Sequence, residues 1–490
     1  MRHEANQNLS ERNGLVAQIE ALLVGARSQD SLRHNPNALV AVAFQLYYAF
    51  LVANVHEWGI CDGKRVLEPA VAKNKLGIEY TLQGFMDGVV GIKSSGFMIP
   101  VLDAELLACL YPSIDAVKGL FEMAEKGRKI LREDGNHCAS SAVWTVLNEF
   151  VPRWVGGRFH AEHATVLSTA ELLNEIVEPA GKAVRDFACG YGAALSSAAK
   201  DGAEQICGSD INGYAVMQAK MNCFFANPTG RCASGSHQTV KIKDDDLLDF
   251  SVIEPSSADV VMVTPPLGMK LRSMEEAQAD AYRSRVKSEL DWDVQAPKTV
   301  EEACIVRAML ELNGDGVAVV HAAPGLLFRE ANAEKGLRNN LMQSGSLYAV
   351  VELPSGTSAG TSINMCLLIF GRKKRFDDVL LVNMAAESLG KKGYFDTSRG
   401  PRSQGVTKAG IAWLKGVLSP RVEIPGISKL ITVQDFEEHG GTLKFAPYGM
   451  DIENGTENLP DRDEVLKEIS RHDDQLKSIE KSINSVLMKL

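Results

Sequence analysis

Four stretches in the middle of the chain carry acids or tight turns, and their residue types suit a cofactor that bears a nucleoside. The first runs from Val184-Arg185-Asp186 into Phe187-Ala188-Cys189-Gly190-Tyr191-Gly192. A strand ending in an acid, then a Gly-x-Gly turn, then a helix lets backbone amides approach a ligand and turns a positive helix end toward a carboxylate. Such turns also close ordinary strand-to-helix loops. Leu195 stands where a dinucleotide fingerprint has its third glycine, which disfavours NAD. The second feature is Asp210, 24 residues after Asp186 and at the end of the next strand-like run. There it can accept from ribose hydroxyls, or it can cap a helix starting at Ile211. Third, Asp244-Asp245-Asp246 offers acids at another strand end, either to an adenine amino group or simply to solvent. Fourth, Thr264-Pro265-Pro266-Leu267 breaks an apolar run. Two prolines forbid continuation of the strand and aim the Thr264 side chain and the Pro265 carbonyl outward.

The elements that must hold these residues alternate between apolar runs and helical stretches from Leu167 onward. Strands are expected at 183–186, 205–210, 259–263, 316–321, 347–353, 366–370 and 379–382, separated by helices. That alternation implies strand–helix–strand units and a mainly parallel sheet, and open sheets of this kind bind ligands at the carboxyl ends of their strands. Residues before about 155 read as mostly helical. There 116–132 is amphipathic, and the apolar run 38–53 is shorter than a membrane span and reads as a buried helix. Tyr214, Phe224 and Phe225 fall at helical spacing after Asp210 and read as core. Near the end, Val465, Ile469, His472, Leu476, Ile479, Ile483, Val486 and Leu490 step by fours and threes. This heptad seam suits packing on its own domain or a coiled coil with a partner.

Composition narrows the class. The chain has 490 residues, 45% hydrophobic and 23% charged, so it is globular and long enough for more than one domain. Its net charge of −10 leaves nucleic-acid contact to a basic partner or to local patches, such as Arg372-Lys373-Lys374-Arg375 or the run from Lys391 to Lys408, which also read as solvated loops between strands. Nine scattered cysteines form no CxxC pair, which argues against a zinc ribbon and for reduced thiols in a cytoplasm; no metal is expected. The N-terminal residues lack the apolar stretch of a signal peptide, so the expected location is cytoplasmic, with no membrane segment.

The order and spacing of these stretches resemble the amino-methyltransferases that modify adenine N6 in DNA with S-adenosyl-L-methionine. More narrowly, they resemble the modification subunits of type I restriction–modification systems. The family's DPACGSGGFL stands here as DFACGYGAAL from Asp186, its GDSLLDF as DDDLLDF at 244–250, and its NPPF as TPPL at 264–267. Downstream, Pro324-Gly325-Leu326-Leu327-Phe328 and Gly336-Leu337-Arg338-Asn339-Asn340-Leu341 look like its PxGxLF and iRxxLL segments. Those segments disfavour a methyltransferase acting on glutamine or an RNA base. The likeness spans about 160–450.

What the resemblance implies is an α/β fold. A Rossmann-like, S-adenosylmethionine-dependent methyltransferase domain at 156–450 would lie between a helical N-terminal domain at 1–155 and a coiled-coil-like helix at 451–490. Asp186, Ala188, Gly190 and Gly192 would line the cofactor, Asp210 would hold its ribose and Asp245 its adenine. Thr264, Pro265, Pro266 and Leu267 would form the catalytic turn, in which the first side chain and the proline carbonyl accept from the target amino group. DNA would be the substrate, with a specificity or other defence-system subunit bound through the C-terminal helix. Thr264 replaces asparagine, Leu267 an aromatic residue and Phe187 a proline. These departures leave a second expectation, a catalytically impaired pseudo-methyltransferase that positions DNA or serves a structural role.

Overall fold

A computed structural model describes residues 14–23, 37–54, 98–111, 114–133, 138–150 and 165–449, apart from 233, 251–252, 254–255, 272–273, 358–362, 391 and 397–404. The heptad seam lies outside the described residues. Nine strands make one sheet: β1 (Ala183–Asp186), β2 (Gln205–Asp210), β3 (Thr239–Asp244), β4 (Ala258–Val263), β5 (Leu312–Ala322), β6 (Leu347–Leu353), β7 (Met365–Gly371), β8 (Val379–Asn383) and β11 (Ser428–Ile431). A small antiparallel pair, β9 (Phe395–Asp396) with β10 (Gly405–Val406), stands apart from it. The order is β11-β8-β6-β7-β5-β4-β1-β2-β3. Neighbours from β3 through to β5 are parallel, while β7 and β11 run against their neighbours.

The expected strands are all present. β3 and β11 were not among them, because each is short and half-exposed, without a continuous apolar run. Helices Leu167–Val177, Ala193–Lys200 and Gly213–Ala226 cover one face of the sheet; Glu276–Leu290, Val300–Glu311 and Asn332–Gln343 cover the other. β1 sends the chain outward to β2 and β3, and β4 then returns on the other side of β1. The direction of winding therefore reverses between β1 and β4, the place where open α/β sheets bind their ligands beyond the strand ends.

The apolar run forms helix Ala38–Ala53, with 14 of its 16 residues buried. Its rings pack edge-on against the sheet-covering helix: Tyr47 against Phe224 at 5.6 Å and Phe50 against Phe225 at 5.2 Å. The N-terminal helices thus share a core with Gly213–Ala226. No helix among the described residues is long and apolar enough to cross a membrane.

Candidate active site

β1 ends at Asp186, only 1% exposed, whose Oδ1 accepts from the Ala188 N–H at 3.0 Å. Burial pushes its carboxyl up to about 8, the charge of Asp210 adds to the rise, and the Ala188 N–H opposes it. Burial thus favours the protonated form of Asp186. Beyond it the turn passes Gly190 at φ 50° and Gly192 at φ 80° into helix Ala193–Lys200. Gly192 answers to packing as well as to turn geometry: a Cβ there would stand 2.6 Å from the Ala219 Cβ on the neighbouring helix. Leu195 fits without a third glycine because the space is provided by the strand opposite, where a Cβ on Gly208 would meet the Leu195 Cδ1 at 2.4 Å.

Asp210 joins the turn to β2. Its Oδ2 accepts from the Gly190 N–H at 2.9 Å and its Oδ1 from the Asn212 N–H at 2.9 Å. The helix-cap alternative falls to Asn212, whose side chain accepts from the Tyr214 N–H at 3.0 Å and caps Gly213–Ala226. Ile211, between them, is 76% exposed, an apolar surface at the strand tip that the sequence reading did not single out. Asp245 follows β3, and its N–H donates to the Asp210 carbonyl at 3.1 Å. Asp245 also joins Asp186, Phe187, Lys243 and Arg307 in lining a cavity of about 350 Å³ that runs back along β1–β3 to Ala183 and Gln205 and does not include the glycine or diproline turns. Asp245 Oδ2 is buried and lies 3.0 Å from Lys243 Nζ in an ion pair without hydrogen-bond geometry.

The diproline turn stands across β1 from these acids. Val184 and Arg185 pair with Val260 and Val261, which places Asp186 beside Met262 and Thr264 two residues farther along the same face. The sequence reading aims the Thr264 hydroxyl outward. In the structure it is held at 2.6 Å by the hydroxyl of Thr165, just ahead of helix Leu167–Val177. Pro265 is buried, and half-buried Leu267 packs against the core. The turn's far side is pinned where the Gly268 N–H donates to Glu301 Oε1 at 3.1 Å and the Val300 N–H to the Met269 carbonyl at 3.1 Å. Helix Val300–Glu311 is suited to this by a capping box between Thr299 and Glu302.

β5 adds two further groups. Val263 pairs with Val320, so His321 lies in register beside Thr264; it is 3% exposed, and its Nε2 has no hydrogen-bond partner. Burial alone lowers its pKa to about 4. Phe328, past the turn after β5, is 44% exposed, with Lys444 Nζ over its ring at 5.0 Å from the centroid. Of these groups, Thr165 and Glu301 carry no signal in the sequence, since their roles arise from contacts across 99 and 33 residues. The basic run expected to reach phosphates lies elsewhere. β7 is antiparallel, so Arg372, Lys373, Lys374 and Arg375 emerge at the opposite edge of the sheet, bonded to Ser256, Asp315 and Asp377.

A winding reversal flanked by an acid, a glycine turn and a diproline turn defines the class: a doubly wound α/β methyltransferase. The N-6 DNA methylase family model matches residues 156–400, half of the chain, and the chain belongs to that family. S-adenosyl-L-methionine is accordingly its cofactor. The methyltransferase subunit of a type I restriction-modification system from Streptococcus thermophilus is 19% identical with a TM-score of 0.60, the match covering 89% of this chain and 98% of that one. A chain from a study of assembly and conformational transition in a type I R-M system is 16% identical with a TM-score of 0.57, over 98% of this chain and 99% of that one. At these identities the likeness is one of fold. No curated protein matches the chain.

Proposed function

We propose that this chain is the methylating subunit of a type I restriction–modification assembly and transfers a methyl group to adenine N6 in DNA. One observation carries the reading: Thr264-Pro265-Pro266 stands at the tip of β4, beside the Asp186–Gly192 turn at the end of neighbouring β1 and across β1 from Asp210 at the end of β2. This is where an N6-transfer turn has to meet a nucleoside cofactor.

When bound, S-adenosylmethionine supplies an electrophilic methyl on a sulfonium. The residues present fit such a group: Asp210 keeps lone pairs for ribose hydroxyls beyond the two N–H groups it accepts from, and Ile211 offers an apolar surface to a ring. The glycine turn leads into helix Ala193–Lys200, whose positive end would suit the carboxylate of the cofactor. The target adenine must leave the duplex stack for its amino group to be reached. Thr264 Oγ1 and the Pro265 carbonyl accept from that amino group, directing its nitrogen lone pair toward the methyl. Leu267 lacks a π face and is turned into the core; Phe328, at the same edge of the sheet, supplies one. Stacking of this sort contributes about 1–3 kcal/mol per base. We assign the heptad seam from Val465 to Leu490 to contact with a specificity subunit, on the strength of its spacing.

The test is base-resolved mapping of N6-methyladenine in the native host, with the gene intact, deleted, and restored as Pro265→Ala. Methylation lost at one sequence motif in both altered strains supports the reading. Methylation unchanged in both overturns it and leaves a subunit that does not transfer methyl groups.

A further inference from the structure

Thr264 and Thr165 meet hydroxyl to hydroxyl at 2.6 Å, and this pairing bears on how a threonine serves at a position where an amide would carry a directed oxygen. A side-chain amide presents its acceptor in a fixed plane. A hydroxyl rotates about its C–O bond and has one hydrogen and two lone pairs. Left free, it can turn its hydrogen toward an incoming amino group, so that two donors oppose each other. We infer that Thr165 is a positioning residue for the transfer turn. Its Oγ1 takes the Thr264 hydrogen, stops the rotor and leaves a Thr264 lone pair facing the substrate amino group. The inference rests on the reading of the diproline turn as the site of transfer.

Three further observations support it. The 2.6 Å separation lies within the ordinary O–H···O range of roughly 2.5–3.0 Å. Thr165 sits on a rigid support, because the carbonyl of the next residue, Val166, accepts from the Thr169 and Ala170 N–H groups at 2.9 and 3.0 Å and starts helix Leu167–Val177. That helix is tied down in turn by Thr169 Oγ1 donating to the Thr357 carbonyl at 2.6 Å. On the other side, Glu301 grips the turn through Gly268. The threonine pair is therefore held from two independent elements, as an orienting contact requires.

The experiment compares Thr165→Val, Thr165→Ser and Thr264→Asn, singly and with Thr165→Val added to Thr264→Asn, in the complete assembly on its own host DNA. Steady-state methyl transfer is read together with cofactor affinity by calorimetry and melting temperature. Thr165→Val keeps the shape and removes the acceptor. It should lower kcat about tenfold, the loss of one hydrogen bond, and leave KM for DNA, cofactor affinity and melting temperature near wild type. Thr165→Ser should restore kcat. In the Thr264→Asn background Thr165→Val should change nothing, since an amide orients its own oxygen. Wild-type kcat in Thr165→Val overturns the inference alone, as does an equal loss in both backgrounds, which marks a packing effect. An assembly in which the wild-type chain itself transfers no methyl group overturns the functional reading, and the inference with it.

Discussion

The N–H of Gly190 donates to Oδ2 of Asp210 at 2.9 Å, so the glycine turn after β1 and the acid that ends β2 are one structural unit. The second oxygen of Asp210 is engaged by the Asn212 N–H. A carboxylate satisfies both donors, one through each oxygen; an amide, having one oxygen, does not.

Asp210→Asn should therefore be disruptive here, leaving one of the two donors unpaired, and Asp210→Ala leaves both. Both should weaken S-adenosylmethionine binding at least tenfold and destabilise the fold by about 1–3 kcal/mol, the cost of leaving a buried donor unpaired. Calorimetric titration and denaturant unfolding check the two effects separately. An Asn variant with wild-type affinity would remove Asp210 from the cofactor site.

Gly192→Ala should destabilise the protein by roughly 2–4 kcal/mol, because it combines a left-handed backbone with a Cβ forced into Ala219. Denaturant unfolding measures this in the absence of cofactor. A cost below about 0.5 kcal/mol would show that helix Gly213–Ala226 moves aside easily.

Asp186 and His321 should oppose each other in the pH dependence of stability. The carboxyl of Asp186 is raised to about 8 by burial, so its contribution is full below the unfolded value near 4 and is lost as pH climbs toward 8. His321 is lowered to about 4 by burial, so its contribution is full above about 6.5 and is lost as pH falls toward 4. Between about pH 4 and 6.5 the two slopes, each roughly 1.4 kcal/mol per pH unit at most, cancel. Asp186→Asn, which keeps the acceptor for the Ala188 N–H, should expose a stability that rises with pH across that window. Urea unfolding from pH 4.5 to 6.5 checks it, and an unchanged profile would refute the assignment.

His321→Leu should expose the opposite slope, a stability that falls as pH rises. It should also leave stability at pH 7 unchanged or raise it by about 1 kcal/mol, since the buried Nε2 has no partner to lose. The same unfolding series detects both, and a loss above about 2 kcal/mol at pH 7 would mean that this nitrogen is engaged.

Seven of the nine strands of the main sheet, and the order of the candidate site stretches along the chain, are legible in the sequence. The continuous apolar run marks β6 to the residue, because burial on both faces of a sheet demands it, while the short runs of β1 and β2 are bounded by the acids that end them, Asp186 and Asp210. The positions of Asp186, Gly190, Asp210 and the diproline turn follow from those strand ends. Tertiary structure alone decided what these groups touch. That Thr264 meets Thr165, that Gly268 is held by Glu301, that Leu195 is accommodated by Gly208 and that the basic run after β7 faces away are matters of which strands are neighbours and which way each runs. Strand order and direction are set by the packing of whole layers, which local periodicity does not encode. A hydroxyl's partner 99 residues away therefore leaves no trace in the spacing around it.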